Sequence, residues 1–148
     1  MTSPKITGGC LCCAVRYEAD QPPWGSGYCH CRMCQQSVGN VFALYAAFRR
    51  SGFRYTQGEP KRYRSSDIAV RGFCDQCGSP LTFEYDHDVD NLDVTVGSLD
   101  DPEQARPTHH TGTESAVSWL RIDDGLPRKR TEESQGFKEA TASRQTKV

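Results

Sequence analysis

Within six residues, Cys29-His30-Cys31-Arg32-Met33-Cys34, the chain places three thiols. A hydrophobic core has no use for thiols so closely spaced, whereas a metal ion does. Five more cysteines stand at positions 10, 12, 13, 74 and 77, making eight in all. Structural zinc usually takes four ligands, commonly as close pairs from separate segments. Cys10 with Cys12 and Cys74 with Cys77 supply one complete four-thiolate set, tying the N-terminal segment to the middle of the chain. Zinc held this way adds folding free energy directly, on the order of 10 kcal/mol in small finger peptides.

That assignment leaves Cys29, Cys31 and Cys34. Three thiolates leave a tetrahedral ion one position short, which is the general pattern of catalytic zinc. Such a centre has a net formal charge of one negative, so it polarises water less than a three-histidine site does. A soft incoming ligand suits it better, and a substrate thiol bound there is deprotonated near neutral pH. The expectation is two Zn2+ per chain, with Cys29, Cys31 and Cys34 as the catalytic group.

Other readings of these cysteines compete. Cys31-Arg32-Met33-Cys34 has the spacing of a thioredoxin-like dithiol, but no βαβ pattern surrounds it and a third cysteine lies two residues upstream. An iron–sulfur cluster also uses cysteines, yet the spacings match no common ferredoxin run. Both groups can also be structural zinc, with a histidine completing the second; this is the serious rival. Cys13 stands apart and reads as a free thiol, buried or half-buried.

The elements that position these residues follow from pattern. The chain has 148 residues, 36% hydrophobic, with a mean hydropathy of −0.68, which fits one domain with a modest core. Residues 6–20 read as a strand entered through a turn at Gly8-Gly9, with Cys10 to Glu18 extended, so that Cys10 and Cys12 share a face. Residues 21–27, rich in Pro and Gly, read as a loop, and residues 35–40 as a polar connector. Residues 41–48 form an apolar run of strand length, although periodicity alone leaves a short helix open. Short strands are expected at 53–55, 61–64 and 69–73, followed by a tight knuckle at Cys74-Asp75-Gln76-Cys77-Gly78. Alternation predicts half-buried strands at 81–85 and 92–96. The class is mainly β. Residues 1–5 are a lead, 6–127 one domain, and 128–148 a polar tail expected to be mobile.

Charge and hydropathy exclude several functions. The net charge is −1 and the sequence pI about 6.4, which leaves no electrostatic footprint for nucleic acid or an anionic membrane. The short basic run Arg128-Lys129-Arg130 is followed by Glu132-Glu133 and reads as a solvated domain exit. No apolar run approaches the roughly 18 residues of a membrane span. Residues 1–5 lack the apolar stretch of a signal peptide, so a cytoplasmic, reducing compartment is the expectation. There, eight cysteines point to metal or catalysis more than to disulfides.

Taken together, Gly8-Gly9-Cys10-Leu11-Cys12, Cys29-His30-Cys31-Arg32-Met33-Cys34 and Phe73-Cys74-Asp75-Gln76-Cys77-Gly78 resemble the glutathione-dependent formaldehyde-activating enzyme family, also called the centromere protein V domain family. Gly97 to Pro102 and Ser118 to Pro127 look like its C-terminal motifs, so the resemblance covers roughly residues 6–127. It implies a β-tent fold of antiparallel sheets with a structural and a second zinc. It also implies carbon–sulfur lyase chemistry, in which the glutathione thiol adds to formaldehyde, or a related small carbonyl, to give S-(hydroxymethyl)glutathione. Carried over, Cys10, Cys12, Cys74 and Cys77 match the structural-zinc positions, and Cys29, Cys31 and Cys34 the catalytic ones.

The family usually has glycine where this chain has Cys13. His110, nine residues before Trp119, looks like the family's histidine and is expected beside the second metal, with His109 the weaker candidate. His30, projected away from its flanking cysteines in an extended chain, is expected to lie behind them or in solvent. Glutathione carries two carboxylates, so a cationic residue is expected in its pocket, with Arg32, Arg49 and Arg71 as candidates. The rival function is a non-catalytic zinc-binding module that binds another protein.

Overall fold

A computed structural model describes residues 3–145. The strands are β1 (Ile6–Gly9), β2 (Arg16–Ala19), β3 (Gly25–Cys29), β4 (Ala43–Arg49), β5 (Phe53–Gln57), β6 (Lys61–Ser66), β7 (Ala69–Phe73), β8 (Pro80–Tyr85), β9 (Asn91–Thr95) and β10 (His110–Thr111). Two α-helices accompany them, α1 (Arg32–Val38) and α2 (Gln135–Gln145). A three-stranded sheet has the order β1-β2-β5, and a seven-stranded sheet the order β10-β3-β4-β9-β8-β7-β6. The class is mainly β, as expected. One pairing departs from an all-antiparallel arrangement: β10 runs parallel to β3, with His110 opposite Tyr28 and Thr111 opposite Cys29.

The main core lies between the two sheets. Ile6, Tyr17 and Ala19 from the small sheet pack against Ala46, Phe48 and Val94 from the large one. A second cluster joins Val15 and Leu81 to Cys10 and Cys74, so half of the four-thiol set is itself core. The thin hydrophobic content thus meets its supplement where the two segments cross.

The chain departs from expectation at residues 10–15. No continuous strand runs through them: β1 ends at Gly9, and a tight turn follows before β2. Cys13 N–H donates to the Cys10 carbonyl, and Cys10 N–H to the Val15 carbonyl, both at 3.1 Å. A straight strand cannot wrap two sulfurs around one ion, whereas a turn can. Cys13 carries the backbone strain of that turn at φ 66°, the left-handed region where a Cβ is unfavourable. The glycine that the family resemblance sets at this position therefore has a physical reason. Cys13→Gly is expected to stabilise the protein by about 1 kcal/mol, read from urea midpoints. An unchanged or lower midpoint contradicts this account of the turn.

Three further segments differ. The expected loop at 21–27 gives way to β3 from Gly25 onward, because Gly25 to Cys29 pair with Ala47 to Ala43 of β4. The connector expected at 35–40 is the second half of α1, capped by Gly39 at φ 67° with its N–H on the Gln35 carbonyl. In the C-terminal stretch, expected as a mobile tail, residues 135–145 form α2, and Ala140 on it is buried. Residues 1–2 and 146–148 of the expected lead and tail lie outside the described residues.

Asp93 of β9 sits on the face opposite the core residues Leu92 and Val94. Burial pushes its carboxyl up to about 7, and the charge of Asp88 adds to the effect. Because the folded value lies above the unfolded one, folding favours the protonated acid. Its cost is absent below the ordinary carboxylate range and grows as pH rises through about 7. Asp93→Asn is therefore expected to gain roughly 3 kcal/mol more in urea stability at pH 8 than at pH 4. Equal gains at both pH values contradict that assignment.

Candidate metal centres and the cavity beside them

The four-thiol group forms where the 10–15 turn meets the knuckle between β7 and β8. The Sγ atoms of Cys10, Cys12, Cys74 and Cys77 all lie within 4.8 Å of one another. Cys10 Sγ is 3.6 Å from Cys12 Sγ, and Cys12 Sγ is 3.8 Å from Cys74 Sγ. A tetrahedral ion about 2.3 Å from each sulfur sets neighbouring sulfurs about 3.8 Å apart, so the spacing fits zinc. Backbone donors complete the cradle: Val15 N–H points at Cys10 Sγ at 3.2 Å, and Gln76 N–H at Cys74 Sγ at 3.4 Å. Such donors stabilise thiolate over thiol. The Ser79 hydroxyl, 3.1 Å from Cys77 Sγ, leads the contacts that pull Cys77 down to about 5.

The three-thiol group forms at the end of β3. Cys29 is the last residue of that strand and Cys31 is the N-cap of α1. Cys31 Sγ accepts from Cys34 N–H at 3.3 Å, which turns Cys34 back toward it. The three Sγ atoms lie within 4.8 Å of one another. The acidities of these three thiols differ. Hydrogen bonds from Cys29 and Cys34 pull Cys31 well below the ordinary thiol range, and contact with Cys29 and Cys31 pushes Cys34 far above it.

Arg71 supplies an independent test of what charge this group carries. Its side chain comes from β7, is 5% exposed, and forms no carboxylate ion pair among the described residues. It donates to Cys34 Sγ at 3.4 Å and to the Tyr45 hydroxyl at 2.6 Å, and it lies over the Phe83 ring. A buried guanidinium with no anion is costly. Three thiolates around a divalent ion give one negative charge, which balances Arg71. The donor set therefore fits zinc, and the neighbouring charge fits the same count.

The thiols open onto a cavity of about 80 Å³, whose walls include Met33, Ile68, Arg71, Phe83, Tyr85 and Phe137. That space admits a few water-sized groups and is too small to enclose a tripeptide. Burial pushes the Tyr85 phenol above its ordinary range, so it stays protonated, and its hydroxyl meets no hydrogen-bond partner among the described residues. Gly112, at φ 64°, marks another close approach: a Cβ there would lie 2.6 Å from Cys31 N. Only glycine lets this segment pass against the thiol loop.

His110 is fully buried and lies behind the thiols, away from their opening. Its Nε2 is 2.8 Å from Asp124 Oδ2, and its Nδ1 is 2.8 Å from His30 Nε2. In the neutral ring Nε2–H donates to the Asp124 carboxylate, so Nδ1 accepts from the Nε2–H of His30. Both ring nitrogens of His110 are engaged, and it does not join the three-thiol group. Its ring stacks on Tyr28 at 4.4 Å. His30, which was expected behind the cysteines or in solvent, is 5% exposed and takes the first of these places. His109 contacts Thr108 instead. Of the three candidate arginines only Arg71 reaches the cavity. Arg32 is exposed and donates to Gln35, and Arg49 is exposed and lies over Trp24. Asp124, Tyr85 and Phe137 were not expected at this site.

Residues 5–115 match the sequence profile of the glutathione-dependent formaldehyde-activating enzyme family. The chain belongs to that family. An uncharacterized lyase of Schizosaccharomyces pombe is 30% identical over 82 residues, which cover 55% of this chain and 59% of that protein. The chain therefore spans about three fifths of that curated relative. A crystal structure of a Rhodobacter sphaeroides protein shares the fold, with a TM-score of 0.52 at 20% identity, covering 82% of this chain and 98% of the other. Among the described residues, no helix is long and apolar enough to cross a membrane.

Proposed function

We propose that this family member is a zinc-dependent carbon–sulfur lyase that joins a thiol such as glutathione to formaldehyde or a related small carbonyl, and reverses that addition. One observation carries the reading: Cys29, Cys31 and Cys34 converge on one point beside a small cavity, and no fourth histidine, cysteine or carboxylate among the described residues joins them. The family name and the lyase-named relative support the same reaction class.

Cys29, Cys31 and Cys34 would hold the zinc, and the chemistry it would supply there is that of a Lewis acid, lowering the pKa of an incoming thiol. The remaining work falls to the chain. Arg71 neutralises the local negative charge and holds Cys34 in place. The largely apolar walls leave room for few waters, so the carbonyl and the sulfur meet with less competition from hydration. As the S–C bond forms, the carbonyl π pair moves onto oxygen. The thiol has given up its proton, and the new alkoxide takes one back, so the sum is RSH plus aldehyde to hydroxyalkyl thioether. Tyr85 lines the cavity, and its role in this reading is to donate a hydrogen bond to that oxygen as charge develops.

The test holds the protein with glutathione and formaldehyde near equilibrium and follows adduct exchange by NMR. Wild type is expected to exceed the buffer rate, and exchange no faster than buffer overturns the reading for this substrate pair. Tyr85→Phe is expected to slow exchange by about tenfold or more while leaving zinc content intact. A rate equal to wild type removes Tyr85 from the mechanism.

A further inference from the structure

The outer wall of the cavity comes from residues that the family match does not reach. Thr131, Ser134 and Phe137 line the cavity together with the three thiols, yet the matched region ends at residue 115. This C-terminal segment is tied to the body at several independent points. Thr113 N–H donates to the Lys129 carbonyl at 3.2 Å, and Thr131 N–H donates to Glu114 at 3.0 Å. Along α2, Ala140 is 1% exposed, and Arg144 pairs with Asp67 at 2.8 Å, beside the β6–β7 turn. Gly136 lies so close to Tyr85 that a Cβ there would sit 3.1 Å from its ring. The start of the helix is thereby pinned beside the cavity, and Phe137 shares its apolar lining with Met33 and Ile68.

We infer that the segment from Thr131 to Phe137 is the specificity wall of this site, with Phe137 setting how large a thiol or carbonyl can reach the three-cysteine centre. The inference rests on the proposed thiol chemistry and deepens it. A cavity of about 80 Å³ admits a thiol's terminal CH2–S and a formaldehyde-sized carbonyl. It leaves the carboxylates of a peptide thiol outside, which agrees with Arg71 being the only one of the candidate arginines to reach the cavity. Branching next to the sulfur, or a bulky carbonyl substituent, meets the Phe137 ring.

The test uses the full chain loaded with cobalt, whose thiolate charge-transfer bands shift when a further ligand binds. Methanethiol, 2-mercaptoethanol and tert-butylthiol are titrated into wild type, Phe137→Ala and Phe137→Trp. In wild type the unbranched thiols are expected to bind at least about tenfold more tightly than tert-butylthiol. Phe137→Ala is expected to shrink that ratio by about tenfold, and Phe137→Trp to widen it. Ratios that do not move in either variant overturn the wall while leaving the thiol chemistry intact. Bands that no thiol shifts, in wild type or variants, overturn the proposed function and this inference with it.

Discussion

Cys74→Ala is expected to abolish the stable fold. Cys74 is fully buried, belongs to the second core cluster with Cys10, Val15 and Leu81, and sits 3.8 Å from Cys12 across the junction of two distant segments. Its loss removes one of four thiolates and leaves a cavity in a core that is already small. Metal binding of this kind contributes on the order of 10 kcal/mol to folding, whereas whole domains are stable by only about 5–15 kcal/mol. The variant should therefore be recovered largely insoluble or without a cooperative thermal transition, and a strong chelator should do the same to wild type. A Cys74→Ala protein that melts within a few degrees of wild type contradicts the structural assignment.

Cys31→Ala is expected to do the opposite: keep the fold and lose the chemistry. Cys31 is half-buried at the start of α1, and that helix is also held by Gln35, whose amide donates to the His30 and Ser115 carbonyls. Stability should fall by only about 1–3 kcal/mol. Adduct exchange should fall by on the order of a hundredfold or more, since a Lewis acid held by these thiolates would lower the barrier by several kcal/mol. The difference between the two variants is the signature of two thiol groups with different tasks. Loss of fold in both, or of exchange in neither, contradicts that division.

The grouping of these thiols was legible because sulfurs that converge in space here also lie close together in sequence. Two close pairs and one close triplet announce themselves by spacing, and Cys10 with Cys12, Cys74 with Cys77, and Cys29 with Cys31 and Cys34 do converge. The strands at 81–85 and 92–96 were legible for a similar reason, since alternation is a local signal. The turn at 10–15 was not, because β-prone composition masks a conformation that convergence of the two sulfurs imposes. The helix α1 carried signals at both ends, Cys31 as cap and Gly39 as terminator, but a cysteine cap is not a common one.

Long-range partners left no trace in the sequence. Nothing near Arg71 in the chain says that it meets Cys34, 37 residues away. Asp124 and His30 reach His110 from opposite sides in sequence, and only the parallel pairing of β10 with β3 brings the two histidines together. The helix α2 was hidden by its polarity. Its contact with the body rests on few apolar side chains, chiefly Phe137 and Ala140, too few to show as a periodic stripe.

The most direct test of two separate centres is a zinc count by native mass spectrometry on folded wild type and folded Cys31→Ala. Two zinc ions in wild type and one in the variant are the predicted result. Two zinc ions retained by Cys31→Ala, or a single zinc in wild type that survives the substitution, would contradict the assignment of a metal to Cys29, Cys31 and Cys34.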